Sequence, residues 1–300
     1  MEIAQINKEM SIDELNNLAF VQDDKVMLIS EIAQQNPKQH NRLSSGFDVI
    51  DSSIQGGFKT GDFIVISGIS GEGKTSWAMT LTYNFIQRNV PCLWFSYEIP
   101  IYHLHQKFQQ MGLTDNYIAY SPKKNTTGKM EWLIFKIRES WARYKTKVVF
   151  IDMIDFLSPL NVQSRDNETI ILKKIATELK TLAIELDIII FTMAHITKLR
   201  EGEEAGMQNI AWSAGIYQLA DYVFMIHREK NKPTQKMGEA IEEDLCTNNS
   251  FIKIVKNRDT GILKKIKCQM SQGKFLQLTN NYEQPGNQNG SVNSEGMPNF

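Results

Sequence analysis

The stretch FIVISGISGEGKTSWAMTLTYNFIQ, residues 63–87, decides the fold. Phe63 to Ser67 is a short apolar run of the kind that forms a strand buried on both faces. Gly68, Ile69, Ser70, Gly71, Glu72, Gly73, Lys74 and Thr75 then satisfy the pattern GxxxxGK[ST] in full. A helical stretch follows from Ser76. Strand, glycine-rich turn and helix in that order make a cradle for phosphate. The glycines let backbone N–H groups point inward, and the helix N-terminus adds positive potential. Lys74 is spaced to reach β and γ oxygens, and the Thr75 hydroxyl to ligate Mg²⁺. The stretch predicts a site for ATP and Mg²⁺ built from Gly68, Ser70, Gly71, Glu72, Gly73, Lys74, Thr75 and Ser76.

Outward from this loop, CLWFS (92–96), VVFID (148–152) and IIIFTMA (188–194) are further apolar runs, separated by longer stretches with helical period. Such alternation predicts an α/β fold, a P-loop NTPase with a mostly parallel sheet flanked by helices. After Tyr222 the runs YVFMIHR, FIKIVKNR, ILKKIKCQM and KFLQL predict antiparallel strands added at the C-terminal edge. NKPTQKMGEAIEEDLCTNN, between the first two, reads as an exposed loop. The expected organisation is an N-terminal helical arm and linker over residues 1–40, an ATPase domain over 41–280, and a disordered tail over 281–300. That tail is rich in Asn, Gly and Ser with little to bury. In the arm, Ser11 and Glu14 form a capping-box pattern ahead of apolar residues at helical spacing. Such a segment either packs on its own domain or docks on a neighbouring subunit.

A phosphate loop needs a carboxylate for its metal, at the end of a neighbouring apolar strand. Asp152 closes the unbroken VVFID run and is preferred over Asp155. Hydrolysis also needs a group to orient or deprotonate the attacking water. Glu98 lies just past CLWFS, where the carboxyl end of a strand should face the nucleotide. Its competing role is to cap the helix opened by Pro100. His195 follows IIIFTMA at the equivalent end of another strand, and suits a γ-phosphate sensor better than a lone surface or core histidine.

Across 300 residues the net charge is −1, so no global basic field advertises a polyanion and any such site is local. The proportions, 42% hydrophobic and 22% charged, are those of a soluble globular protein. Cys92, Cys246 and Cys268 include no CxxC pair, which points to reduced thiols rather than a zinc site or disulfide framework. No apolar run approaches the roughly 20 residues that span a bilayer. The N-terminus lacks the basic-then-apolar order of a secretory signal. A cytoplasmic protein, in a bacterial or viral-host cytosol, with no membrane partner is expected, an organelle being the alternative location.

These pieces, in this order, resemble the RecA-like motor domain of DnaB-like (superfamily 4) replicative helicases. The likeness extends from about Arg42 to Gly273. RLSSGFDVIDSSIQGGFKTGDFIVISG is similar to the family's opening segment, and FSYEIP to its glutamate motif. VVFIDMIDFLSPL and the run ending in IIIFTMAHITK look like its Walker B strand, helix and sensor strand. Many members carry Gln at the sensor position, while the phage and mitochondrial branch carries His, as His195 does here. FIKIVKNRDTG looks like the KxR finger, with Lys256 and Arg258 as the basic pair. The resemblance implies that these two reach the ATP site of an adjacent subunit and neutralise charge developing on the γ-phosphate. It implies catalysis by Glu98, Lys74, His195, Lys256 and Arg258, and Mg²⁺ held by Thr75 and Asp152. It further implies a hexameric ring moving 5′→3′ on single-stranded DNA in replication, with a primase or loader as partner. On the residues alone, Lys256 and Arg258 equally fit a basic edge strand that resists aggregation.

The family's DNA-facing loops correspond to about Asn161–Asn167 and Lys198–Trp212. Arg165, Lys198, Arg200 and Trp212 are the candidate DNA contacts, through backbone neutralisation and base stacking. The second loop also carries Glu201, Glu203 and Glu204, and reads NIAWSAG where many members read DLRxSG. Ala211 thus stands in place of an arginine, and Trp212 either stacks on a base or packs under the loop. Two other functions fit the same motifs. One is a RadA/KaiC-like DNA-binding ATPase without unwinding activity; the other is a helicase-derived scaffold that has lost translocation.

Overall fold

In the computed structural model the described residues are 30, 41–113, 118–120, 129–158, 165–195, 214–230 and 246–278. Strands β1 (Arg42–Leu43) and β2 (Phe58–Lys59) form a small antiparallel pair around the short helix α1 (Asp48–Ser53). Strand β3 (Phe63–Gly68) is buried at every position. Its alternation assigns Ile64 and Ile66 to one core and Phe63 and Val65 to another. Strand β6 (Val148–Asp152) divides in the same way, with Val148 and Phe150 in the first core and Val149 and Ile151 in the second. Uniformly apolar strands that alternate between two cores require helices on both faces. Helices α2 (Lys74–Ile86) and α3 (Ile101–Gln110) supply the first through Trp77, Phe85 and Phe108. Helices α4 (Lys129–Tyr144), α5 (Arg165–Leu186) and α6 (Ala214–Leu219) supply the second through Leu133, Leu179 and Ile216.

The remaining strands are β4 (Cys92–Ser96), β5 (Ile118–Tyr120), β7 (Ile189–His195), β8 (Tyr222–Lys230), β9 (Cys246–Asn257), β10 (Lys265–Ser271) and β11 (Lys274–Gln277). They join β3 and β6 in a nine-stranded sheet of order β11-β10-β9-β8-β3-β7-β6-β4-β5. On its first face Trp94, Phe150 and Phe191 are register partners on three adjacent strands, and their rings stack at 4.9 Å spacing. Cross-strand pairs of this kind lock register as well as bury area.

The structure corrects the expected C-terminal strands in three places. β8 runs parallel to β3, so the antiparallel part begins only at β9. The chain enters β8 from α6, and a crossover over one face returns a strand in parallel, whereas a hairpin reverses it. β10 begins at Lys265 rather than Ile262, whose side chain and that of Leu263 are exposed. β9 begins at Cys246, inside the segment expected to be a loop. The rest of that segment, the tail 281–300 and nearly all of the arm 1–40 lie outside the described residues.

Candidate active site

The carboxyl ends of four neighbouring parallel strands meet at one place. Gly68 of β3 is the register partner of His195 of β7, and Ser96 of β4 that of Asp152 of β6. The phosphate loop leaves β3 at Gly68, whose φ of 153° no side chain adopts readily. A Cβ there would lie 2.6 Å from the backbone oxygen of Ile226 on β8. Gly73, left-handed at φ 102°, caps the N-terminus of α2. Its missing Cβ leaves room for the Phe275 ring, which one would approach to 3.1 Å. Glu72 is buried, and its Oε2 accepts the backbone N–H of Arg228 and lies 3.4 Å from His227 Nδ1. Its side chain braces the loop against β8, which leaves its backbone to face a phosphate.

Lys74 Nζ sits inside the loop, donating to the carbonyls of Gly68 and Ile69 at 2.9 Å each. Burial lowers its pKa, and the charges of Glu98, Asp152, Glu72 and Asp155 oppose that shift. Nζ also lies 3.3 Å from His195 Nδ1. Burial and then the Lys74 charge lower the pKa of His195, so its ring is neutral at pH 7. A neutral ring that accepts from Lys74 at Nδ1 carries its proton on Nε2. Thr75 Oγ1 donates to Asp152 Oδ2 at 2.9 Å. Asp152 Oδ1 is buried with no hydrogen-bond partner among the described residues. Burial, reinforced by Glu98, pushes its carboxyl up to about 6 against the pull of the Thr75 bond. An unpartnered carboxylate oxygen beside a threonine hydroxyl is the donor set that a hard divalent cation and its waters take up. Asp155 is in the 3₁₀ turn Ile154–Leu157, past the end of β6, and its charge acts on Lys74 as that of Asp152 does; the bond to Thr75 Oγ1 is made by Asp152. Glu98 is exposed, two residues past β4, and its charge acts on Lys74, Asp152 and His195. It does not cap α3, whose N-cap is Pro100 with no side-chain cap bond.

A cavity of about 420 Å³ flanks the loop on the side of the antiparallel strands. Gly71, Gly73 and Ser76 contribute from the loop side, and Arg228, Asn248, Ser250, Gln272 and Phe275 are among the residues lining the rest. Ser250 Oγ is buried without a partner among the described residues.

Lys256 and Arg258 lie elsewhere. Asn257 is level with Tyr222, and Tyr222 with Ile64, four residues before Gly68 in the parallel ladder. The pair is therefore about 13 Å from the phosphate loop along the strand direction, at the opposite end of the sheet. Lys256 Nζ donates to the carbonyls of Tyr217 (2.7 Å) and Gln218 (3.1 Å) at the end of α6. Burial, then the Arg258 charge, lowers its pKa. The Arg258 guanidinium donates to Gln218 O at 2.9 Å and lies 3.3 Å from Asp221 Oδ1, with its side chain 53% exposed. Lys256 lies beyond Lys253, the last β9 residue with a register partner in β10, and Arg258 directly follows the end of β9.

A family model of the DnaB-like helicase C-terminal domain matches residues 42–114 and 103–279. The chain belongs to the DnaB-like helicase family. The replicative DNA helicase DnaB of Treponema pallidum is 26% identical over 216 residues, covering 63% of this chain and 49% of that protein. The DNA repair protein RadA of Haemophilus influenzae is 23% identical over 194 residues, covering 65% of this chain and 39% of that protein. A solved DnaB-like replicative helicase, described with its interactions with primase, superposes with a TM-score of 0.65 at 17% identity. It covers 88% of this chain and 70% of that one, and carries the same RecA-like fold. The chain thus spans about half the length of the DnaB protein it matches.

In this DnaB-like chain, hydrogen bonds and charge link Lys74, Thr75, Asp152 and His195 in one cluster, with Glu98 beside them through its charge. Lys198, Arg200 and Trp212 lie outside the described residues; Arg165 begins α5, and its side chain lies outside them too. Sequence reasoning missed the cavity, since Arg228 of β8, Asn248 and Ser250 of β9 and Gln272 of the turn between β10 and β11 are brought together only by the topology. It also passed over Asp221, although an acidic residue directly ahead of an apolar strand was a visible signal.

Proposed function

We propose that this chain is the ATP-hydrolysing motor of a replicative helicase that works as a hexameric ring and moves 5′→3′ on single-stranded DNA. One observation carries the reading. Groups suited to binding and sensing phosphate cluster at one end of the sheet, while the basic pair Lys256 and Arg258 sits at the other, out of reach of its own loop. A site whose halves lie at opposite ends of one molecule is completed by a second copy.

In this reading the backbone of residues 68–75 cradles the phosphates and Lys74 neutralises the β/γ oxygens. Thr75 and Asp152 hold Mg²⁺, which when bound offsets phosphate charge. Glu98 orients the attacking water and takes its proton as the bond from the γ-phosphorus to the bridging oxygen breaks, giving ADP and phosphate. His195 donates Nε2–H to the γ-phosphate. Lys256 and Arg258 of the adjacent subunit stabilise the charge that develops there. The cavity of about 420 Å³ accepts base and ribose, with the Arg228 side chain and the Phe275 ring among its lining. Arg165, Lys198, Arg200 and Trp212 are the proposed contacts to DNA, and a primase or loader the proposed protein partner. Residues 1–40 act as arm, 41–280 as motor and 281–300 as tail.

Arg258→Ala should abolish DNA-stimulated ATP turnover while leaving ATP binding intact. Mixed in increasing amounts with the unaltered chain, it should depress turnover more than in proportion, because each altered chain spoils a neighbour's site. Proportional loss argues for self-contained sites and against the ring reading. Unwinding of forked duplexes tests the activity itself: intact ATPase with no displacement from either a 5′ or a 3′ tail would remove the helicase assignment. The likeness to RadA favours a second reading, an ATPase that coats DNA. Filaments on single-stranded DNA in place of closed hexamers would select it.

A further inference from the structure

We infer that Asp221 is a positioning residue for Arg258, holding the guanidinium at the end of the sheet so that it is presented to the neighbouring subunit. The inference rests on the shared-site reading, and its test separates the two.

Asp221 stands at the junction of four elements. Its backbone N–H donates to Phe63 O at 2.8 Å and its carbonyl accepts Arg258 N–H at 2.9 Å, which fixes it to β3 and to the end of β9. Its Oδ2 accepts the backbone N–H of Phe63 at 2.9 Å and Lys180 Nζ of α5 at 2.5 Å. Its Oδ1 is left for the Arg258 guanidinium at 3.3 Å. One carboxylate oxygen is therefore anchored in the body of the fold while the other faces the basic pair. The residue is buried and the arginine half exposed, so the anchor is rigid and the anchored group open to a partner.

Charge makes the arrangement suited to its task. A carboxylate paired with Arg258 alone would cancel the charge that a phosphate needs to meet. Here Lys180 already balances Asp221, so the three groups together keep a net positive charge on the exposed side. The guanidinium has five N–H donors in a fixed fork. One contacts Asp221 and another donates to Gln218 O, and both contacts come from the body of the subunit. Lys256, seated on Tyr217 O and Gln218 O, carries a like charge that repels the guanidinium, and the Asp221 carboxylate acts against that repulsion. A reacting group misplaced by about 1 Å costs as much as ~100-fold in rate.

The test uses two inactive variants of the full chain. Arg258→Ala keeps its phosphate loop but lacks the arginine of the finger; Lys74→Ala keeps its finger but has no working loop. Mixed together they should restore ATP turnover at interfaces that join the first chain's loop to the second chain's finger. No restoration overturns the shared-site reading itself. With restoration in hand, Asp221→Asn is added to one chain at a time. On the Lys74→Ala chain, which donates the finger, it should lower the restored turnover by roughly 10- to 100-fold with little change in the KM for ATP. On the Arg258→Ala chain, which has no guanidinium to position, the loss should be far smaller. Equal losses in both placements would mean that Asp221 only braces the fold, and no loss in either would mean that it does nothing; both outcomes overturn the inference. Should Asp221→Asn fail to fold, Asp221→Glu in the same two placements retains the charge, shifts it by one methylene, and must show the same asymmetry.

Discussion

Asp152 bonds Thr75 Oγ1 through one oxygen at 2.9 Å and buries the other without a partner among the described residues. Burial raises its carboxyl to about 6, and the negative charge of Glu98 adds to the effect. The sign follows directly: at pH 7 the group is ionised and able to hold a cation, and below about 6 it carries a proton instead. Proton and Mg²⁺ then compete for the same oxygen. The Mg²⁺ concentration that half-saturates ATP turnover should stay flat above about pH 7 and climb by up to about ten-fold per pH unit below pH 6. Burial and the Lys74 charge lower the pKa of His195, so its protonation is displaced toward lower pH and away from the onset of the Asp152 effect. A Mg²⁺ requirement that does not change between about pH 5 and pH 8 would take Asp152 out of the metal site.

Strand β3, the loop and helix α2 are legible in the sequence because their signal is local: an apolar run, a glycine pattern and a helical period within twenty-five residues. The ends of β4, β6 and β7 are legible for the same reason, and so Glu98, Asp152 and His195 stand out. The direction of β8 is not, because it depends on how the chain returns from α6 and not on the composition of YVFMIHR. The cavity is not legible either, since register alone brings Arg228 beside Ser250. The tight fit between β3 and β8 makes a prediction at this scale. Gly68→Ala would set a Cβ 2.6 Å from Ile226 O, a backbone atom that cannot swing aside, at a φ of 153°. The substitution should cost on the order of 2 kcal/mol of stability or more. It should also weaken ATP binding, because the loop is hung from that residue. Thermal unfolding with and without nucleotide measures both, and an unfolding midpoint equal to that of the unaltered chain would show that β8 yields.

At the scale of the molecule, one sheet separates two chemically different ends. The phosphate end gathers acid around Lys74, and the far end gathers base around Asp221. Asp62 lies at the far end, immediately ahead of β3, 2% exposed, with Oδ2 accepting the Lys59 N–H at 2.6 Å. Burial pushes its carboxyl up to about 7, and the nearby charge of Asp221 contributes. An acid whose pKa is higher in the folded chain than in the unfolded one makes the folded state bind more protons across the interval. Stability must then fall as pH rises from about 4 towards 7 and level off above it. The size is on the order of 4 kcal/mol for this one group, and Asp152 adds a contribution of the same sign that ends nearer pH 6. Denaturant midpoints taken without nucleotide, at fixed protein concentration so that assembly does not shift the balance, read this slope. Asp62→Asn keeps an oxygen that can accept the Lys59 N–H and has no charge to bury. It should therefore flatten the slope and raise stability at about pH 8, while changing little at about pH 4.5. If the variant were instead weaker at the higher pH, Asp62 would be working as an ionised partner of Lys180, and the positive charge assigned to the finger end would have to be recounted.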